Sequence, residues 1–179
     1  MPFAYYQRLS ARDRAIYRRS DGVTSLALPS PRELHALVDE LRAALEGEER
    51  RAIETAAQAL ASGLGAQLGL PPVRIEVLAV RPSADWGELH GLYTREAGRT
   101  PKIQLWMRTA HHKRIVAFRT FLRTLLHEVG HHVDYERLEL ADSFHTEGFF
   151  RRESSLFHQL VPSGGGSVST GGGSPADEV

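Results

Sequence analysis

The motif His-Glu-Val-Gly-His at residues 127–131 most constrains the fold of this chain, because it lies inside an apolar repeat. Apolar side chains recur at three- and four-residue steps between residues 115 and 133, a spacing typical of one buried stripe on a helix. On such a helix the side chains of His127 and His131 lie one above the other, so both could bind one metal ion. Glu128 could reach a water molecule on that ion without binding the ion itself.

A glycine inside the motif is a second indication. Gly130 would lie in the middle of the predicted helix, where glycine costs about 1 kcal/mol relative to alanine. A helix tolerates glycine there more readily when another group must approach its backbone closely, and we therefore expect a neighbour packed against this residue. The alternative interpretation is that the motif is two surface histidines near a carboxylate, but that interpretation leaves the glycine unexplained.

Composition limits the class of protein and its partners. The 179 residues suffice for one domain with a core, and the 22 Lys and Arg residues equal the 22 Asp and Glu residues. A nucleic-acid ligand is therefore disfavoured, since proteins that bind nucleic acid usually carry a basic excess. The absence of cysteine excludes disulfides and thiolate zinc sites and is compatible with a reducing cytoplasm. Because the sequence contains neither a long apolar segment nor a signal-peptide pattern, we expect a soluble, cytoplasmic protein that does not enter a membrane.

The patterns along the chain predict three parts. Residues 1–28 form an N-terminal segment with a short helix that Ser10 caps. Residues 29–162 form the domain that carries the histidine motif, and its helical scaffold opens with a capping-box pattern at Ser30. Residues 163–179 are rich in Gly and Ser, so we expect this tail to be disordered. Within the domain we predict scaffold helices at 30–70, strands at 73–107 and the two metal-site helices at 115–160.

The strands are predicted at 73–80, 88–94 and 102–107, where β-branched residues cluster or apolar residues alternate. Their connections are too short for helical crossovers, so we predict a small, mainly antiparallel sheet in an α+β fold. This sheet would pack on the histidine-bearing helix, with the scaffold helices before it and a C-terminal helix after it. The last strand, which carries Trp106, could line a cleft and pair with an extended peptide.

A catalytic zinc ion usually has three protein ligands and one open position for water, so the motif leaves one ligand to be found. Asp134 lies three residues after His131 on the same helix, where it would leave the metal poorly surrounded. It could instead accept a hydrogen bond from a ligand imidazole. The other candidates follow the helix in sequence. They are His145, Glu147, Glu153 and His158.

The segment His145-Thr146-x-x-Phe149-Phe150 resembles the element that follows the H-E-x-x-H motif in SprT-like and WLM-type bacterial zinc metallopeptidases. The resemblance extends over about residues 73–162 and implies a minimal zincin fold with one catalytic zinc ion. It implies that His145 is the third zinc ligand beside the two motif histidines. It also implies that the two phenylalanines pack the last helix under the site.

The same resemblance implies a zinc-dependent hydrolase that acts on peptide or protein substrates. Glu128 would act as general base toward the zinc-activated water and then as general acid toward the leaving amine. The candidates for stabilising the oxyanion are Tyr93 and Tyr135, with His90 and His158 as further candidates.

The sequence departs from this resemblance and leaves alternatives open. It has neither the cysteine ribbon nor the basic extension through which some SprT-like proteins engage DNA, which again disfavours a nucleic-acid role. A similarity to gluzincins makes Glu153 or Glu147 the alternative third ligand, whereas the third histidine of metzincins would fall on Arg137. The alternative function is a zinc-binding regulatory or latent module without constitutive peptidase activity, in which the N-terminal region covers the cleft.

Overall fold

A computed structural model describes residues 3–84 and 87–162, and in these residues the chain has an α+β fold. The tail at 163–179, for which we predict disorder, lies outside this range. Each helix that the structure describes is too short or too polar to cross a membrane. The α-helices are α1 (Ala11–Asp21), α2 (His35–Glu46), α3 (Arg50–Leu68), α4 (Phe118–Glu136) and α5 (Glu147–Leu160), and the strands are β1 (Arg74–Val80), β2 (Ser83–Ala84), β3 (Gly87–Glu88), β4 (Gly91–Thr94) and β5 (Lys102–Arg108).

The starts of two helical segments test the capping predictions. Ser10 caps α1 as predicted, because its hydroxyl accepts a hydrogen bond from the backbone N–H of Asp13 at 3.1 Å. The capping box predicted at Ser30 is wrong, since its side chain makes no capping hydrogen bond. Its backbone N–H and carbonyl instead bond the side-chain amide of Gln67 at 3.0 and 2.8 Å. The chain then forms a short 3₁₀ helix, Pro31–Leu34, before α2 begins.

The sheet is mixed, which differs from the mainly antiparallel sheet that the short connections predict. Its strand order is β1-β5-β4, with β5 parallel to β1 and antiparallel to β4. A parallel pair needs a crossover of a dozen or more residues. In the described part of residues 81–101, strands supply it, because β4 and the separate β2–β3 pair lie between the two parallel strands in sequence.

The central position of β5 overturns the idea that this strand could pair with a peptide. Hydrogen-bonded neighbours lie on both sides of β5, so its backbone has no free edge. Leu105 and Trp106, whose side chains point to opposite faces of the strand, are both buried, as expected for a strand covered on both faces. Within the three-stranded sheet, β1 and β4 form the edges.

Side chains of α3 cover the outer edge of β1. Glu54 accepts a hydrogen bond from the backbone N–H of Val77 at 2.8 Å. Gln58 accepts from the N–H of Ile75 at 2.8 Å. It also donates to the carbonyl of Val73, the residue before β1. Arg50 donates to the carbonyl of Val77 at 3.0 Å. These contacts satisfy backbone groups that an uncovered edge would present to another strand.

The apolar stripe of α4 is confirmed, although the helix is shorter than the predicted range. The helix packs against β4, β5 and α5. Its core-facing residues are almost completely buried. These buried residues are Phe121, Leu122, Leu125, Leu126, Val129 and Val133. His127 and His131 are only partly buried, and they lie at the edge of this stripe.

The N-terminal segment packs against α5 and the connection that precedes it. The backbone N–H of Gly148 donates to the Asp21 carboxylate at 2.8 Å. A side chain at position 148 would collide with the Asp21 backbone, since a Cβ atom there would lie 2.3 Å from its carbonyl oxygen. The contact therefore requires glycine and holds the end of α1 against the start of α5.

Candidate metal centre

The structure brings three imidazoles together above α4. His127 and His131 lie one helical turn apart on the same face, and His145 comes from the connection between α4 and α5. The Nε2 atom of His145 lies 3.0 Å from Nε2 of His127 and 3.2 Å from Nε2 of His131. The potential ligand atoms of all three side chains lie within 4.8 Å of one another. This three-histidine cluster could hold a metal ion.

The chemistry of the cluster suits zinc. A tetrahedral zinc ion with Zn–N bonds of about 2.0–2.1 Å separates two ligand nitrogens by about 3.3 Å, close to the distances between these imidazoles. Metal binding also requires neutral imidazoles. Burial is the main cause, and the neighbouring His127 and His145 the lesser one, of a pKa of His131 that is lowered to about 3. The pKa of His145 is also lowered, mainly by burial and to a lesser extent by the neighbouring His127.

Two polar residues orient the cluster from its outer side. The Nδ1–H of His127 donates to the Glu153 carboxylate at 3.2 Å, and the Nδ1–H of His131 donates to the Ser143 hydroxyl at 2.7 Å. Each bond leaves the Nε2 lone pair directed into the cluster. Glu153, a predicted alternative ligand, therefore lies across the His127 ring from the convergent nitrogens. Glu147, the other carboxylate alternative, pairs with Arg151 at 2.6 Å.

A buried chain of hydrogen bonds continues behind Ser143. Its hydroxyl donates to Asp134 at 2.7 Å, and the Arg152 guanidinium donates to the other carboxylate oxygen at 2.6 Å. Arg152 also donates to the Val23 carbonyl at 2.7 Å and to the Ser20 hydroxyl at 3.1 Å. The sequence suggests that Asp134 could accept a hydrogen bond from a ligand imidazole, and the structure places the Ser143 hydroxyl between Asp134 and His131.

Sequence reasoning missed both Ser143 and Arg152. No motif marks Ser143, which lies in the connection after α4. Arg152 had a detectable signal, because it occupies the position in the α5 apolar repeat between Phe149 and Leu156 that a buried residue would take. An arginine on a buried stripe indicates a buried carboxylate partner.

Glu128 lies beside the cluster and is almost completely buried, with 6% of its surface exposed. Burial raises the pKa of Glu128 to about 7, while His127 and a hydrogen bond from the backbone N–H of Tyr93 act in the opposite direction. The strand β4 approaches this carboxylate very closely. A Cβ atom at Gly91 would lie 2.5 Å from Oε1 of Glu128, so only glycine leaves room for the side chain.

The hydroxyls proposed to stabilise an oxyanion have other partners. Tyr93 donates to Nδ1 of His132 at 3.0 Å, because Nε2–H of that histidine donates to the Pro71 carbonyl at 2.9 Å. The Tyr135 hydroxyl donates to Asp142 at 3.3 Å. The two histidine candidates are exposed. His90 lies between β3 and β4, and His158 lies near the end of α5.

The two phenylalanines of the resemblance occupy different positions. Phe149 is buried under the cluster, with its ring centre 5.0 Å from that of His127 and 4.9 Å from that of His131. Its ring also packs on the backbone of Gly130, as the glycine led us to expect. Phe150 is exposed and stacks beside His145, with the ring centres 5.9 Å apart. Only the first of the pair therefore packs under the site.

Replacement of Gly130 by alanine is expected to destabilise the protein. The added Cβ would lie 2.9 Å from the Phe149 ring, and overpacking of this kind costs about 1–3 kcal/mol. Removing a helical glycine returns only about 1 kcal/mol. The matched control is Gly65→Ala in α3, where the nearest atom beyond its own helix turn is 3.8 Å away and the same change should stabilise. Urea unfolding of both variants measures the difference, and an equal gain in both would contradict the packing argument.

Comparison with protein-family models, with curated proteins and with solved structures gives no match. The resemblance to minimal zincins therefore rests on the motif residues alone. The geometry adds a three-histidine cluster on α4 and the following connection, in an α+β fold with a small mixed sheet.

Proposed function

We propose that this protein is a zinc-dependent metallopeptidase. The observation that carries the proposal is the convergence of three Nε2 atoms beside a buried carboxylate, on a face where His145 remains exposed. Three neutral imidazoles with an open side are the donor set of catalytic zinc, whereas structural zinc sites have four protein ligands. The proposed ligands are His127, His131 and His145.

In this proposal Glu128 transfers protons. A bound zinc ion lowers the pKa of a water ligand to about 7 and polarises a carbonyl group. Glu128 accepts the proton of the water whose oxygen attacks the scissile carbonyl carbon. It then delivers that proton to the amide nitrogen as the C–N bond breaks. The backbone N–H of Tyr93 and the close approach of Gly91 hold the Glu128 carboxylate in position.

The proposed substrate is an extended peptide, and β4 is the strand that supports this choice. It is the sheet edge adjacent to Glu128, because Gly91 contacts that side chain. The other edge, β1, is covered by hydrogen bonds from α3. An extended peptide that adds to a strand edge gains main-chain hydrogen bonds, and its scissile bond would then pass the metal cluster.

Replacement of Ser143 by alanine is expected to weaken zinc binding. Without the hydroxyl, the Nδ1–H of His131 loses its acceptor and the imidazole loses its fixed orientation. Loss of such an outer partner typically lowers metal affinity about 10–100-fold. Competition with a chromogenic zinc chelator measures the affinity, and Ser154→Ala on α5 is the control. An unchanged zinc affinity in Ser143→Ala would show that the hydroxyl does not orient the ligand.

The alternative is a zinc-binding regulatory or latent module without constitutive peptidase activity. A latent enzyme needs a segment that covers its cleft, and the N-terminal segment instead contacts the backbone side of His145 through the Tyr5 hydroxyl at 2.8 Å. Deleting residues 1–28 would be a poor test of latency. The deletion would remove Ser20 and Val23, which accept hydrogen bonds from the buried Arg152 guanidinium.

Cleavage of a diverse peptide library by the zinc-loaded full-length protein tests the proposal. We expect products that appear with zinc and disappear both with a chelator and in His131→Ala. Mass spectrometry of the products also gives the residues on either side of the cleaved bond. Stoichiometric zinc binding without cleavage of any peptide would overturn the peptidase proposal and favour the non-catalytic module.

A further inference from the structure

A surface pocket of about 500 Å³ opens beside His145. Its walls come from two distant parts of the chain, which are a short 3₁₀ helix, Ala4–Arg8, with Phe3 before it, and the region around His145 and Phe150. One of the three clustered imidazoles is therefore a wall of the pocket. The lining residues are Phe3, Ala4, Tyr5, Arg8, His145 and Phe150.

Exposed aromatic side chains mark this pocket. Among the described residues, the exposed large hydrophobic side chains are Phe3, Phe150 and Leu92, which are 41%, 41% and 40% exposed. The two phenylalanines line the pocket, and Leu92 lies on β4, the strand that contacts Glu128. Exposed apolar groups gathered at one place indicate a binding surface more strongly than scattered ones do.

The pocket walls are held in place by specific contacts. The ring of Phe3 meets the ring of Phe150 edge-on, with the centres 6.1 Å apart, and it stacks with Tyr5 at 6.2 Å. The Tyr5 hydroxyl donates to the backbone carbonyl of His145 at 2.8 Å, which ties the N-terminal wall to the metal-site connection. The backbone N–H of Phe3 donates to the hydroxyl of the buried Tyr17 at 3.2 Å. A preformed apolar pocket of this kind binds a ligand side chain at little ordering cost.

We propose that this pocket binds a large apolar side chain of the substrate, aromatic in preference to aliphatic, at a residue next to the scissile bond. The inference rests on the proposed peptidase function, because the occupant is the peptide that the metal centre would cleave. Aromatic walls favour an aromatic occupant through ring contacts. The Arg8 guanidinium at the pocket disfavours the cationic side chains of Lys and Arg. The N-terminal segment thereby determines substrate specificity.

Matched peptides test the specificity. The best substrate from the library is varied to Phe, Leu, Ala or Lys at each of the two residues that flank the cleaved bond. At one of these positions we expect kcat/KM for Phe to exceed that for Ala about tenfold or more, with Lys the poorest. Phe3→Ala should reduce the Phe-to-Ala ratio severalfold, because it removes a pocket wall. Leu37→Ala, which shortens a partly buried apolar side chain on the scaffold helix α2 outside the pocket, should leave that ratio within about twofold.

A binding experiment separates the pocket from the peptidase activity. N-acetyl-phenylalanine amide and N-acetyl-alanine amide are titrated into the zinc-loaded protein, and the imidazole signals of His145 are followed by NMR. We expect a shift with the phenylalanine amide that weakens in Phe3→Ala. Such binding without cleavage of any peptide would retain the pocket and overturn the peptidase proposal. Cleavage with equal rates for Phe and Ala at both positions, without a shift, would overturn the pocket proposal and retain the peptidase.

Discussion

The variant Glu128→Gln is expected to bind zinc like the parent protein and to hydrolyse peptides about 10²–10⁴-fold more slowly, the usual contribution of a general base. Glutamine has the same shape and can keep the hydrogen bond from the backbone N–H of Tyr93. It cannot accept a proton from the attacking water. The loss should appear in kcat, because the amide leaves the three-histidine cluster and the proposed peptide-binding edge of β4 intact. Steady-state kinetics on the best library peptide and metal analysis of the purified variant give both quantities.

The matched control is Glu136→Gln, which makes the same chemical change at the end of the same helix. It should retain kcat within a small factor. A Glu128→Gln variant with parental kcat would show that another group takes the proton. A variant that loses zinc as well as activity would show that Glu128 contributes to metal binding and would leave its role in proton transfer without support.

The variant Arg152→Met is expected to lose about 3–5 kcal/mol of folding free energy, the usual result of removing one partner of a buried ion pair. Arg152 and Asp134 are both almost completely buried, and their side chains are 2.6 Å apart. Methionine fills much of the same volume but leaves the Asp134 carboxylate without its cation. Ser20 and the Val23 carbonyl lose their donor as well. Urea unfolding followed by circular dichroism measures the loss.

The neighbouring Arg151 is the control for Arg152. It forms an ion pair of the same length with Glu147, but both side chains are exposed. Because exposed ion pairs contribute little to stability, Arg151→Met should change the midpoint of unfolding far less. The double variant Asp134→Leu with Arg152→Met should recover part of the loss, since no buried charge then remains uncompensated. Equal midpoints for Arg151→Met and Arg152→Met would refute the assigned role of the buried pair.

The helix α4 could be predicted because two independent patterns coincide in it. The apolar repeat shows which side of the helix is buried and therefore which face carries the histidines. The four-residue spacing makes His127 and His131 neighbours on that face. Both inferences depend on contacts within one helix, where distance in sequence fixes distance in space. The position of Phe149 could likewise be inferred from a local signal, the glycine at position 130 that its ring approaches.

The sheet order and the outer contacts of the cluster could not be predicted in the same way. Short connections between strands suggest hairpins. The pairing of the strands, however, depends on how the sheet packs against the rest of the fold, and β5 lies between β1 and β4. The contact between Ser143 and His131 depends on how the connection after α4 turns back. The contacts of Arg152 with Ser20 and Val23 join residues more than a hundred positions apart, and no local pattern encodes such a pair.

The opposite hydrogen bonding of His131 and His132 gives the protein an internal spectroscopic standard. His131 carries its proton on Nδ1 because it donates to Ser143, whereas His132 carries its proton on Nε2 because it donates to Pro71. In nitrogen-15 NMR spectra these two tautomers resonate differently although the residues are adjacent. On addition of zinc the His131 signals should move while those of His132 should stay. The pair therefore reports, within one turn of one helix, whether a metal ion has bound at the cluster or has perturbed the fold.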